Sequence, residues 1–155
     1  MKRKKMRQIL ICLSIIFFSF SAFTHKFETS NMVVEHLWMK ISNTNGVGYF
    51  EIKNISSDDI YLTGLVSKDV KKIEIHEVIM EDDIAKMRPV VGGIRIKTGE
   101  TMEFKPMGNH LMFFGINKDY EEGQMMEVTL VFKSLENLDV RFKIDSVKSS
   151  HKHDH

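Results

Sequence analysis

The sequence has little cysteine, proline and glycine, and each shortage excludes a class of protein. Its 155 residues include one Cys, two Pro and nine Gly. A single Cys excludes a disulfide scaffold and a four-cysteine zinc site. Few Pro and Gly exclude collagen-like and low-complexity chains. The apolar share of 43% is ordinary for a globular protein and too high for general disorder. A length of 155 residues suits one small domain.

The N-terminus has the composition of a secretory signal peptide. Residues 1–7 contain five basic side chains and no acid, and the apolar run from Ile9 to Phe20 ends in small residues. About a dozen apolar residues are fewer than the roughly 20 that a membrane span needs. We therefore expect residues 1–21 to be removed on export to the periplasm. The protein would contact a membrane through this segment alone, if it stayed uncleaved.

Cleavage after residue 21 changes both the charge and the redox chemistry of the chain. Of the 22 basic and 21 acidic side chains, 17 bases and all the acids remain, which gives a net charge of about −4 and argues against a nucleic-acid partner. Cys12 lies within the apolar run, and Ile11 before it is not the small residue that a lipoprotein signal needs. The exported protein thus has no cysteine, which excludes thiol redox chemistry and a thiolate metal ligand.

Beyond the signal, the sequence has the pattern of short β-strands. Runs rich in Val, Ile and Phe recur about every 8–12 residues between clusters of Gly, Asn, Asp and Ser. No segment keeps a 3.6-residue apolar period over three turns. The pattern favours an all-β fold, an antiparallel sandwich or Greek-key barrel over residues 32–146, with a lead-in at 22–31 and a flexible tail at 147–155. The predicted strands are Met32–Lys40, Val47–Lys53, Ile60–Val66, Lys72–Ile79, Ala85–Val90, Thr101–Phe104, His110–Ile116, Gln124–Phe132 and Asp139–Ile144.

Methionine and histidine cluster in the middle of the chain. Of the 11 Met, five lie between residues 80 and 112. Ten residues separate His76 from Met87, and twenty-two separate Met87 from His110. His110 and Met112 are two apart on a predicted strand, so that both side chains leave the same face. With His76 and Met87 on neighbouring strands or loops, the set is two imidazoles and two thioethers. Such soft, neutral ligands favour Cu(I) over Mg²⁺, Ca²⁺ or structural Zn²⁺.

The same residues also have an ordinary interpretation. Methionine is a common gap-filler in cores, and a single histidine is more often a surface or hydrogen-bonded residue than a ligand. The residue types alone leave open a metal-free exported β-sandwich that acts as an interaction module, with these four residues scattered or buried. An electron-transfer cupredoxin is excluded, because its copper needs a Cys thiolate.

These residues resemble the motif of the periplasmic copper chaperones known as PCuAC. Members of that family have a His, ten residues, a Met, a little over twenty residues and then His-x-Met. His76, Met87, His110 and Met112 match this spacing, and a looser likeness extends over about Val33 to Ile144.

The resemblance implies a single-domain, cupredoxin-like Greek-key β-sandwich that binds one Cu(I) through the four matching residues. It also implies delivery of that copper to the copper-accepting subunit of cytochrome c oxidase during assembly, directly or through a thiol-bearing assembly factor. Asn109 stands where an aromatic residue often precedes the His, a departure in the wall of the site and not in its ligands. A copper-resistance or storage protein of the same fold is the near alternative.

The C-terminal tail is a second place where the sequence predicts metal binding. His151, His153 and His155 alternate with other residues and can capture Cu(II) or Zn²⁺ in a mobile, weakly selective way, although a simple solvated tail is the alternative. The sequence has no Gly-rich phosphate loop, no Ser-His-Asp grouping and no cysteine nucleophile. We therefore expect a binding protein and not an enzyme.

Overall fold

This computed structural model describes residues 26–148 of the chain. Within that range the chain forms eleven β-strands, joined by turns and loops, and no helix. They form one hydrogen-bonded path in the order β6-β5-β9-β3-β2-β11-β10-β4-β7, while β1 pairs with β2 and β8 with β3. The strands are β1 (Phe27–Glu28), β2 (Met32–Ser42), β3 (Asn45–Asn54), β4 (Ile60–Val66), β5 (Val70–Glu81), β6 (Ile84–Pro89), β7 (Ile94–Ile96), β8 (Thr101–Phe104), β9 (His110–Ile116), β10 (Met125–Phe132) and β11 (Leu138–Lys148).

The path folds over into two layers that enclose one core. Strands β6, β5, β9, β3 and β2 lie on one side of the parallel pairing between β2 and β11, and β11, β10, β4 and β7 lie on the other. Phe142 of β11 packs edge-on against Phe50 and Phe113 of the first group, with 5.9 Å between ring centroids in each pair. The fold is therefore the all-β, Greek-key β-sandwich that the strand pattern and the family resemblance predict.

All nine predicted strands are present, and several are longer than the sequence pattern indicates. β2 extends to Ser42 and β11 to Lys148, and β5 spans Val70–Glu81. In β10 every second residue from Met126 to Phe132 is buried, as the alternation predicts. The sequence does not predict β1 and β7, because strands of two and three residues are too short to show an alternating pattern.

A glycine in β3 allows a core ring to lie directly against the strand. A Cβ at Gly48 would stand 2.7 Å from the ring of Phe113, which is fully buried. Gly48 is the cross-strand partner of Leu111, and Phe113 is the next core-facing residue along β9. The missing side chain at position 48 therefore fixes the depth at which β9 packs on the core.

We expect Gly48→Ala to lower the free energy of unfolding by about 1–3 kcal/mol, because the added methyl group forces a buried ring to shift. Gly64→Ala is the matched control. Gly64 lies in β4 with no heavy atom within 4 Å of the Cβ position, so that its substitution should change stability by less than about 0.5 kcal/mol. Urea denaturation measures both values. Equal midpoints for the two variants would contradict the packing at Gly48.

Candidate metal centre

Three adjacent strands bring the four predicted copper ligands to one face of the sheet. In the β5–β9 pair His76 is the cross-strand partner of His110. In the β5–β6 pair Met87 is opposite Val78, which follows His76 by two residues. Met112 follows His110 by two residues on β9. Because cross-strand partners and alternate residues of a strand share a face, all four side chains lie on the same side of the sheet.

This side is the outer face, opposite the core. Ile75, Leu111 and Phe113 are buried in the core, and they alternate with His76, His110 and Met112 along β5 and β9. The four donors therefore do not serve as core packing, which is the ordinary interpretation of a methionine in a strand-rich chain. They lie on the side of the sheet that is turned away from the core.

On the outer face the histidines are shielded from solvent, whereas Met87 is exposed to it. His110 is only 6% exposed, and the side chain of His76 is 16% exposed. Met112 is half-buried and lines a shallow apolar hollow together with Val47. Met87, on the edge strand β6, is 68% exposed. The site thus has a sheltered imidazole pair at one end and a solvent-facing thioether at the other.

Hydrogen bonds orient the two imidazoles and leave a different nitrogen free on each. The rings lie 5.6 Å apart between centroids, with 60° between their planes. His110 donates from Nδ1 to the carbonyl oxygen of Gly108 at 2.8 Å, which leaves Nε2 as the possible donor to a metal. His76 donates from Nε2 to the Glu74 carboxylate at 2.8 Å, which leaves Nδ1. Such outer partners fix the tautomer of ligating histidines.

Glu74 is a residue of the site that the sequence analysis did not single out. It lies on the same face as His76, opposite Met112, and its carboxylate also pairs with Lys72 at 2.8 Å. The hydrogen bond from His76 and the Lys72 ammonium lower the pKa of the Glu74 carboxyl. Its position two residues before His76 on one strand is the signal that would have identified it.

Local turn chemistry places the two outer strands of the site. Asp82 and Asp83 close the β5–β6 hairpin with φ of 51° and 61°, the conformation that the tightest hairpin turns need at both central residues. This turn fixes the register that sets Met87 opposite Val78. The geometry of this turn therefore determines where the exposed thioether of Met87 lies.

A second group of candidate ligands occurs in the structure and was not found from the sequence. Side-chain ligand atoms of Glu35, His36 and Glu51 all lie within 4.8 Å of one another. A bulge in β2 places His36, at φ 57°, beside Glu35 and its cross-strand partner Glu51. No sequence motif encodes this bulge. The group is partly exposed, and we assign no ion to it.

Other predictions concern residues that the structure does not describe. The signal peptide at 1–21 and the tail residues His151, His153 and His155 fall outside residues 26–148. Within that described range, no helix has the length and apolar character needed to cross a membrane.

The sequence profile of a known family matches most of the chain. Residues 32–144 match the family described as "Putative lipoprotein LpqE-like", and the chain belongs to this family. It is similar to "Putative lipoprotein Lxx21020" of Leifsonia xyli subsp. xyli, with 28% identity over 113 residues that cover 72% of this chain and 68% of the relative. It is also similar to "Uncharacterized protein RP573" of Rickettsia prowazekii, with 27% identity over 89 residues, 57% of this chain and about half (49%) of the relative.

Solved structures with the same fold include PCuAC domains. The copper-bound PCuAC domain from PmoF2 aligns with a TM-score of 0.66 at 19% identity, over 79% of this chain and 98% of that domain. The apo PCuAC domain from PmoF1 aligns equally well, over 79% and 99%. Apo-DR1885 from Deinococcus radiodurans aligns with a TM-score of 0.57 at 18% identity, over 85% and 88%. The PCuAC-like, cupredoxin-like fold implied by the sequence resemblance is thus confirmed, while the family profile has a different description.

The hydrogen bonds predict a specific tautomer for each histidine. In the neutral imidazole forms, we expect His110 to hold its proton on Nδ1 and His76 on Nε2. Long-range ¹H–¹⁵N NMR spectra of the metal-free protein distinguish the two forms. Replacement of Glu74 by Ala should alter the signals of His76 and leave those of His110 unchanged. A proton on Nε2 of His110 would contradict the geometry of its contact with Gly108.

Proposed function

We propose that this protein is an exported copper chaperone, a binding protein without catalytic activity, that holds one Cu(I) as cargo. The observation that supports this most directly is the placement of two imidazoles and two thioethers on one outer face of three adjacent strands. Four soft, neutral donors match the preference of Cu(I), whereas Mg²⁺ and Ca²⁺ need oxygen ligands. The ligands in this proposal are His76, Met87, His110 and Met112.

The geometry of the imidazole pair is compatible with one shared ion. A metal ion about 2 Å from a nitrogen of each ring fits two tilted rings whose centroids are 5.6 Å apart. The free nitrogens, Nε2 of His110 and Nδ1 of His76, are the ones that do not bond to Gly108 and Glu74. The Glu74 carboxylate, already held by His76 and Lys72, serves in this proposal to orient the imidazole and not to bind the ion.

The exposure of the site supports a carrier over a storage protein. Uncharged thioether and imidazole ligands can be exchanged one at a time, without the separation of a thiolate from the metal. Met87 is the most exposed of the four donors and the first that a recipient could replace. The solved neighbour described as a copper-bound PCuAC domain binds copper on the same fold, which adds to the case for copper as the cargo.

The proposed location and recipient rest on the sequence and on the resemblance to copper chaperones. A signal peptide at residues 1–21 would export the chain to the periplasm, and both the family and the Leifsonia relative are described as lipoproteins. The proposed recipient is the copper-accepting subunit of cytochrome c oxidase, reached directly or through a thiol-bearing assembly factor. His151, His153 and His155 are proposed as an auxiliary Cu(II) site.

A Cu(I) titration in competition with a chromogenic chelator tests the ligand set. We expect one equivalent of Cu(I) to bind tightly, and His110→Ala/Met112→Ala to weaken binding by more than about 100-fold, beyond the 10–100-fold typical of outer-shell losses. Loss of the buried His110 side chain and of its hydrogen bond to Gly108 should lower the free energy of unfolding by about 2–3 kcal/mol. Urea denaturation measures this value and shows whether the variant still folds.

Two controls accompany this titration. Met107→Leu removes an exposed thioether in the turn before β9, outside the four ligands, and should bind Cu(I) like the parent. Deletion of residues 151–155 should leave the Cu(I) affinity intact and remove Cu(II) capacity. Unchanged Cu(I) affinity in the double variant would refute the proposed site and favour the metal-free interaction module.

A deletion strain separates a chaperone from a resistance or storage protein of the same fold. A chaperone is needed when copper is scarce, so that loss of the protein should lower cytochrome c oxidase activity in copper-poor medium and added copper should restore it. A storage or resistance protein predicts the reverse, normal oxidase activity and sensitivity to excess copper. Oxygen consumption and growth at graded copper concentrations measure the two outcomes.

A further inference from the structure

The β5–β6 hairpin continues the outer face of the sheet beyond the proposed copper ligands. Met80 is the cross-strand partner of Ala85, and Met87 lies two residues after Ala85 on β6. Met80 and Met87 are therefore diagonal neighbours on the outer face that includes His76. Diagonal neighbours in an antiparallel pair stand about 7–8 Å apart, within reach of long side chains. Two flexible thioethers so placed can meet at one ion.

Both methionines are exposed, in contrast to those that pack the core. Met80 is 65% exposed and Met87 68%, whereas Met32, Met39 and Met126 are fully buried. An exposed thioether forgoes the stabilisation that burial of a Met side chain brings. Packing therefore does not explain the two methionines on this hairpin.

The cationic side chains of β6 lie on the other face of the hairpin. Lys86 and Arg88 alternate with Met87 along β6, and both pair with Glu81 of β5. The alternation of the strand directs these two cationic side chains away from the face that holds Met80 and Met87. A monovalent cation can thus approach the two thioethers without a facing ammonium or guanidinium group from β6. Lys72, the cation of β5 on the outer face, pairs with Glu74 and lies eight residues before Met80 on the strand.

We propose that Met80 and Met87 form an outer Cu(I) position through which the ion enters and leaves the inner site. This inference rests on the proposed function, and Met87 belongs to both positions. On release, a bond from copper to Met80 forms while the bonds to His76, His110 and Met112 break in turn. The ion remains Cu(I) throughout, and no electron or proton is transferred.

An outer position of this kind alters rates and leaves affinity unchanged. Two thioethers hold copper more weakly than four donors do, so that the equilibrium occupancy stays with the inner site. The outer pair instead lowers the barrier for both uptake and release, since the ion keeps two ligands at the halfway point. Met80 is therefore expected to act on exchange kinetics alone.

Stopped-flow transfer of Cu(I) to a chromogenic chelator tests the role of Met80. Met80→Leu conserves volume and removes the thioether. We expect it to slow uptake and release by about tenfold, equivalent to about 1.4 kcal/mol in the barrier, while the equilibrium affinity stays within about twofold of the parent value. Met107→Leu, at a position that is 84% exposed and outside the hairpin, should exchange at the parent rate.

The outcomes distinguish this inference from the function on which it rests. If the parent protein fails to bind Cu(I), the proposed function is wrong and the outer position falls with it. If the parent binds Cu(I) and Met80→Leu exchanges at the parent rate, the outer position alone is wrong. Equal slowing in Met80→Leu and Met107→Leu would also overturn it, because the effect would not be specific to the hairpin.

A second measurement observes the outer position directly. Ag(I), a redox-stable ion with the same preference for soft ligands, is titrated into the His110→Ala/Met112→Ala variant while methionine methyl NMR signals are followed. We expect the signals of Met80 and Met87 to shift together and those of buried Met32 and exposed Met107 to stay in place. An unshifted Met80 signal would overturn the proposal even if the variant binds silver elsewhere.

Discussion

The pairing register between β5 and β9 is the constraint on which the site depends. Side chains alternate between the two faces of a strand, so that a slip by one residue would turn every donor of that strand toward the core. The register that sets His76 opposite His110 also sets Ile75 opposite Leu111, both of which are buried. The same hydrophobic burial that stabilises the fold therefore holds the imidazoles on the outer face. No separate interaction is needed to keep the two imidazoles on that face.

Directly beneath the donor face, the core gives the imidazole pair a rigid support. Phe113 follows Met112 on β9 and lies against Gly48 on one side and Phe142 on the other. Close packing of this kind resists small displacements of a strand. β9 also begins at His110 itself, directly after a turn in which Lys105 and Asn109 are joined by a backbone hydrogen bond. The sheltered imidazole thus sits where a tight turn meets a packed strand.

The sequence predicted the fold well because several of its strands alternate strictly. β10 and β11 bury every second residue around Val128, Leu130 and Phe142, and this period is visible in the sequence. Strand type and the shared face of His110 and Met112 follow from the same period. The sequence does not show which strands are neighbours in the sheet. The placement of β5 between β6 and β9 results from long-range pairing, and no local pattern encodes it.

Three smaller features could not be predicted from the sequence, because each depends on neighbours in the folded structure. The bulge that places His36 beside Glu35 depends on how β2 is paired and not on a recognisable motif. Glu74 was overlooked because a carboxylate in a strand is usually a solvated side chain, and its role here depends on its neighbour His76. The exposure of Met87 follows from the fact that β6 has a partner on one edge alone, a property of the whole sheet order.

Because β6 lies at the end of the strand order, the four proposed ligands stand on strands of different local stability. Every residue of β6 is exposed, and among the strands within residues 26–148 β5 is its one partner. Edge segments with few buried contacts open at a small fraction of the free energy needed to unfold a central strand. Slow amide hydrogen exchange would thus be a property of β9 and fast exchange a property of β6. The imidazoles of His76 and His110 belong to the part of the molecule that persists, while Met87 belongs to the part that frays and re-forms.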